Sequence, residues 1–305
     1  MLDSRPMPRP SGLSAAVRLL RLIPPGTHGK SRLARLLLRG QRASADVDIV
    51  DRFGLRFSVP SLAESIAFHL WIDGVYEPEV LRFILHYLQP GGVLVDVGAS
   101  IGSLTIPVAH TLAPAGRVVA IEASGRIFGY LRRNVATNAL GNVHCINCAA
   151  TDGEGGVEFY EAPVDHFGMG SMGAQFHATP SMVRGETLDH MLAEAGVARV
   201  DLLKIDVEGF EVGVLSGAKQ LLLGEHPPLV LFEFIDWAEA RLPCGKPGDA
   251  QRLLLDWGFK IWRLADFSRG RRELSDVVTA GGEMLVATRC QTPALSGLRR
   301  SSVDR

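Results

Sequence analysis

The sequence is sparing with the residues that would tie it to a metal, a bilayer or an oxidising compartment. Four cysteines are too few to staple 305 residues. Only Cys145 and Cys148 lie close together, in NVHCINCAA. On a strand, residues three apart point to opposite faces, so these thiols read as core residues rather than a chelating pair. They suit a reducing, cytoplasmic compartment. No apolar run approaches the roughly 18 residues that a membrane-spanning helix needs. The nine histidines never fall at H-x-x-x-H spacing, which argues against a zinc helix. Acid is missing from one region: residues 1–42 carry nine Lys and Arg against Asp3 alone, which leaves the rest of the chain acidic. Such a body lacks the clustered cations of a nucleic-acid groove, so no nucleic-acid partner is expected.

What is present is an alternation of strand and helix signals. VDIVDRFGLRFSV reads as a hairpin, and PEVLRFILHYLQPGG as an amphipathic helix stopped by Pro90 and Gly91. Buried strands are expected at VLVDVGA, RVVAIEA (117–123), VHCINCAA (143–150), DLLKIDVEG (201–209) and PLVLFEF (228–234), with helices between most of them. That pattern predicts a parallel sheet covered on both faces. After the fifth strand, KIWRL and GGEMLVATR follow with no helix crossover, so an α/β, doubly wound, seven-stranded Rossmann-like sheet of the class I methyltransferase type, ending in an antiparallel hairpin, is the predicted fold. The expected organisation is a basic, partly amphipathic leader (1–45), a main domain with an N-terminal hairpin and helix extension (46–290), and a polar tail (291–305).

The stretch VLVDVGASIGSLT places Asp96, Gly98, Ser100 and Gly102 where a strand turns into a helix. Glycines there let a ligand approach the backbone, and a helix start offers free N–H groups. The dinucleotide pattern would be G-x-G-x-x-G, and the spacing differs. An acid two residues before the first glycine would repel a pyrophosphate but suits the amino group of S-adenosylmethionine. Glu122, at the end of the next strand, can accept both ribose hydroxyls. Nicotinamide proteins use the same device, so a nicotinamide-dependent oxidoreductase stays open on these residues, as does a non-catalytic protein that keeps the fold.

The chain resembles the FkbM family of S-adenosylmethionine-dependent methyltransferases. The matching segments run from about Gly74 to Phe234: GVYEPEVLRFILHYLQPGGVLVDVGASIG, the acid of VVAIEAS, NVATNALGNV, NCAATDGEG, ETLDHML and, most specifically, LLKIDVEGFEVGVLSGA followed by LVLFEF. The resemblance implies transfer of a methyl group to a hydroxyl of a sugar, glycolipid or polyketide-type acceptor. It also draws Tyr76 and Glu77 to the cofactor's entrance, with capping of the next helix as the plainer role for Glu77. Ser100 stands where such proteins usually have Asn. Pro107 falls early in the following helix, where it threatens a kink.

KIDVEGFE (204–211) concentrates the chemistry. Asp206 and Glu208 should emerge at the carboxyl edge of the sheet, near Glu233 at the end of the next strand. Each is a candidate to orient a hydroxyl or take its proton; for Glu208 and Glu211 the alternative is capping of a helix start. Asp206 and Glu233 could instead hold Mg²⁺, although no third ligand is evident and a metal-free site is expected. His166 and His177 flank a Gly- and Met-rich segment long enough to be a lid. In the leader, Leu13, Ala16, Val17 and Leu20 share a helical face with arginines elsewhere. That pattern predicts peripheral contact with anionic membranes through residues 1–42, or a transit peptide, or a solvated arm.

Overall fold

The computed structural model describes residues 15–38, 46–174, 179–242 and 245–289. Two short helices, α1 (Ala15–Leu22) and α2 (Lys30–Leu37), precede a hairpin of β1 (Val47–Val50) and β2 (Arg56–Val59). Next come α3 (Ser65–Asp73), whose N-terminus is capped by Glu64 accepting from the Ile66 and Ala67 amides, and α4 (Pro78–Tyr87). The main body then alternates β3 (Val93–Val97), α5 (Thr105–Leu112), β4 (Arg117–Glu122), α6 (Gly125–Thr137) and β5 (Val143–Asn147). After it come β6 (Ala149–Thr151), β7 (Gly155–Phe159), β8 (Ser181–Thr187) and α7 (Leu188–Glu194). The remainder is β9 (Leu202–Ile205), α8 (Glu211–Ser216), α9 (Lys219–Leu223), β10 (Leu229–Ile235), α10 (Asp236–Glu239), α11 (Asp249–Asp256), β11 (Lys260–Arg263), α12 (Leu264–Phe267) and β12 (Gly282–Thr288).

Seven strands form one sheet in the order β11-β12-β10-β9-β3-β4-β5. All neighbours are parallel except β12, which runs antiparallel between β10 and β11. This is the expected doubly wound sheet with its antiparallel terminal pair. The chain winds outward from β3 to β5 and then returns to β9 on the other side of β3, so the topological switch lies between β3 and β9. Ligands of open α/β sheets bind at such a point, beyond the carboxyl ends of the strands. Separate apolar clusters cover the two faces, one around Leu94, Ile106 and Leu131, the other around Val95, Val214 and Phe232.

Three expectations change. The run 143–150 is two strands, not one: β5 joins the main sheet, whereas β6 pairs with β8 in a separate three-stranded sheet, order β6-β8-β7. Cys145 packs on one face of the main sheet and Cys148 on the other. Pro107 does not interrupt α5. It sits in the first turn, where an N–H has no intrahelical partner to lose, and the Ile106 and Val108 amides on either side still bond to Gly102 and Leu104. Finally, the apolar positions Val17 and Leu20 of α1 are turned inward, packed with Ala34, Leu38, Phe68 and Ile72. Arg21, expected on a polar face, donates to the carbonyls of Val50, Leu70 and Trp71. Leu13 and His177 lie outside the described residues.

Candidate active site

Strand register assembles the floor of the site. Asp96 on β3 lies opposite Lys204 on β9, and continuing the β9–β10 register brings Glu233 beside Asp206. Parallel neighbours in register point the same way, so the Lys204 ammonium reaches Asp96 and Asp206, each at 3.2 Å, and donates to the Gly98 carbonyl. Lys204 and Asp96 are almost fully buried. Burial alone would lower the lysine, but Asp206, Asp96 and Glu77 together raise it above its ordinary value, so it stays charged. Glu233 moves the other way. Burial first, then the charge and hydrogen bond of Asp206, push it well above the carboxylate range, so it is protonated and donates to Asp206.

Above this floor lies a cavity of about 400 Å³. On one wall is the turn after β3. Ser100 adopts φ 50, a left-handed backbone that non-glycine residues seldom take, and its N–H donates to Glu122 Oε2 at 2.9 Å. Glu122 Oε1 accepts from the Ser124 amide at 2.9 Å, and burial raises this carboxyl to about 7 against those two bonds. The Ser100 hydroxyl is buried without a partner. Asp96 Oδ2 accepts from Thr105, whereas Oδ1 faces Lys204 without hydrogen-bond geometry. The wall therefore offers an acidic oxygen, a free hydroxyl and a carboxylate with spare lone pairs. That set fits a ligand carrying an amino group and a diol, as S-adenosylmethionine does. Of the two glycines, Gly98 lines the cavity, and both also answer a demand of the backbone. A Cβ on Gly98 would come 1.8 Å from the Asp206 carbonyl oxygen, and Gly102, at φ 88, packs against Ile106 and Leu131 away from the cavity.

On the opposite wall, Glu208 and Glu211 separate. Glu211, the first residue of α8, is buried and accepts from the Val207 and Gly209 amides, so it braces the turn that leads into the helix rather than capping the helix itself. Glu208 caps nothing. It lines the cavity at φ 55, its Oε2 is buried without a hydrogen-bond partner, and burial followed by Asp206 raises it to about 7. Glu77 also fails to cap its helix: it takes φ 42 with no side-chain cap bond, accepts from the Tyr76 phenol and is raised to about 7 by burial and by Asp206. It stands behind Tyr76, which lines the cavity while Glu77 does not. Three of the four left-handed non-glycine residues among those described, Glu77, Ser100 and Glu208, thus sit in or beside one site, where strain commonly concentrates.

The Gly- and Met-rich segment contributes His166, Phe167, Gly168 and Met172 to the cavity lining. At its rim Trp237 is 42% exposed, with the Arg241 guanidinium 4.6 Å from its ring centre and Arg241 Nη1 buried without a partner. Lys204, Glu64, Ser124, Trp237 and Arg241 were not among the sequence candidates. Of these only Lys204, a cation inside the otherwise apolar LLKI, carries a visible signal.

Residues 96–261 match the model of the methyltransferase FkbM domain, more than half of the chain. The chain is 25% identical to the hexuronic acid methyltransferase AglP of Haloferax volcanii over 73% of its length and 87% of that protein. It is 28% identical to the methyltransferase sdnD of Sordaria araneosa over 56% of its length and 74% of that one. A solved FkbM methyltransferase from Methylobacillus flagellatus aligns at 18% identity and TM-score 0.40, over 73% of this chain and 52% of that one. A methyltransferase match that starts at Asp96 and runs through KIDVEGFE closes the nicotinamide alternative, and the chain belongs to the FkbM methyltransferase family and uses S-adenosylmethionine.

Proposed function

We propose that the enzyme methylates a hydroxyl oxygen of a sugar, with Glu208 taking the hydroxyl proton and Asp206 orienting the acceptor. S-adenosylmethionine supplies a methyl group on a cationic sulfur, so the acceptor oxygen sheds its proton as it gains carbon. Asp96 and Ser100 would hold the amino-acid end of the cofactor and Glu122 its ribose. Asp206 is committed: the Lys204 ammonium and the protonated Glu233 carboxyl both hold it, which fixes its direction. Glu208 carries the proposal, because it lines the cavity with its buried Oε2 unpartnered and its value near neutrality suits reversible proton uptake. The proton passes from the acceptor oxygen to Glu208, while Glu233 and Lys204 keep theirs.

The acceptor class rests on the rim. The exposed ring of Trp237, which lines the cavity, suits the apolar face of a sugar ring. The name of the Haloferax relative, a hexuronic acid methyltransferase, points the same way. The test is release of S-adenosylhomocysteine across a panel of sugars, uronic acids and polyketide alcohols. Glu208→Gln is expected to bind cofactor normally and turn over about 10² to 10⁴ times more slowly. Unchanged turnover would remove Glu208 as base, and turnover confined to polyketide alcohols would remove the sugar. Because Lys204 already supplies positive charge beside Asp206, EDTA is expected to leave the rate unchanged; loss of activity restored by Mg²⁺ would transfer the role of the carboxylates to cation binding.

A further inference from the structure

We propose that α1 and α2 form a docking face for an anionic lipid surface, seating the cavity mouth at the level of the headgroups. The two helices are anchored from below by Val17, Leu20, Ala34 and Leu38 and by Lys30 paired with Asp73. Their outer surface is neither the polar face of a soluble helix nor the face that a helical wheel assigns to lipid. Leu19, Leu22, Leu33, Leu36 and Leu37 are exposed by 44 to 79%, five of the eleven exposed large apolar side chains among the described residues. Arg18, Arg32 and Arg35 are exposed between them, and the sequence contains no Asp or Glu from Ser4 to Ala45.

Charge selects the occupant. A face of leucine and arginine without acid matches an anionic interface, where apolar side chains enter the acyl boundary and cations meet headgroups. A second copy docked by two-fold symmetry would set this face against itself, arginine against arginine. The position has a use as well: Arg35, stacked over Phe68 at 5.2 Å, also lines the catalytic cavity, so one short helix joins the lipid face to the mouth. Docking on this face presents the cavity to acceptors carried in the lipid surface.

The experiment is flotation of the full chain with vesicles of phosphatidylcholine alone and of phosphatidylcholine mixed with phosphatidylglycerol, using wild type, Leu19→Gln/Leu36→Gln and Arg18→Gln/Arg32→Gln. Neither turnover nor an acceptor is needed, so the outcome is independent of the proposed reaction. Wild type is expected to float with the anionic vesicles only and to be released by salt. Each double variant should bind them at least about tenfold more weakly, with unchanged Tm and cofactor affinity as proof of fold. Equal flotation of variants and wild type, equal binding to both vesicle types, or no flotation at all would overturn the proposal. If in addition a concentration-dependent dimer vanishes in the leucine variant, the face belongs to a second copy; if removal of residues 1–14 creates flotation, it belongs to that segment.

Discussion

Two buried lysines, Lys30 and Lys204, are each fixed by aspartate, and they differ in what surrounds them. Lys30 meets Asp73, which also accepts from His69, and donates to the Ile23 carbonyl. Burial would raise Asp73, but His69 and Lys30 together hold it below its ordinary value. Around Lys204 the balance is broken: one ammonium faces Asp96 and Asp206, and Glu233, Glu77, Glu208 and Glu64 crowd in with their values raised. A network that only joins α2 to α3 matches its charges. One that serves chemistry keeps carboxyls in surplus, some protonated and one unpartnered.

Removing each lysine should separate the two most sharply. Lys204→Met leaves the buried Asp96 and the partly buried Asp206 without a counter-charge and is expected to cost about 3–5 kcal/mol in urea unfolding. Lys30→Met should cost less, because His69 still faces Asp73. Equal losses would mean that the catalytic network is held no more tightly than the structural one.

Glu122→Ala should come next. Loss of its contacts is expected to weaken S-adenosylmethionine binding by about 1.5–3 kcal/mol in calorimetry. It should lower Tm as well, since the Ser100 and Ser124 amides lose their acceptor. Glu211→Ala is a matching test on the structural side: a loss of about 1–3 kcal/mol in stability for two stranded amides, with the cofactor still bound. If it abolished cofactor binding at unchanged stability, the division between Glu208 and Glu211 would be wrong.

The smallest effect is in pH. Glu64, Glu77, Glu122 and Glu208 are all raised from 4.5 to about 7, chiefly by burial. The folded state therefore favours their protonated forms. Their stabilisation is complete below the unfolded value and is lost as pH rises through the folded ones, so Tm of the ligand-free protein should fall between about pH 5 and about pH 7.5. Glu64→Gln/Glu208→Gln should flatten that slope, whereas Asp73→Asn should not.

The main sheet was legible because its buried strands are short, largely apolar runs separated by helical segments, and the antiparallel pair announced itself by a missing helix. The floor of the site was less so. Asp96, Asp206 and Glu233 stand out one by one, but the ion pair that joins them depends on the register between β3 and β9, over a hundred residues apart. The break at Cys148 hides in a continuous apolar run, because β6 finds its partner only in β8. A helical wheel shows that Val17 and Leu20 share a face; that Phe68 and Ile72 cover it is written elsewhere in the chain.

The contact between Gly98 and the Asp206 carbonyl oxygen has a bearing on redesign. It is a backbone-to-backbone junction with no room for a side chain, so the spacing between the cofactor wall and the acceptor wall is set by main chain and cannot be adjusted by substitution. The rim is built differently, from the side chains of 166–172 and of α10. Libraries aimed at new acceptors should therefore vary the rim and leave 96–100 and 204–208 untouched, since diversity at the junction would be spent on proteins that no longer align their two halves.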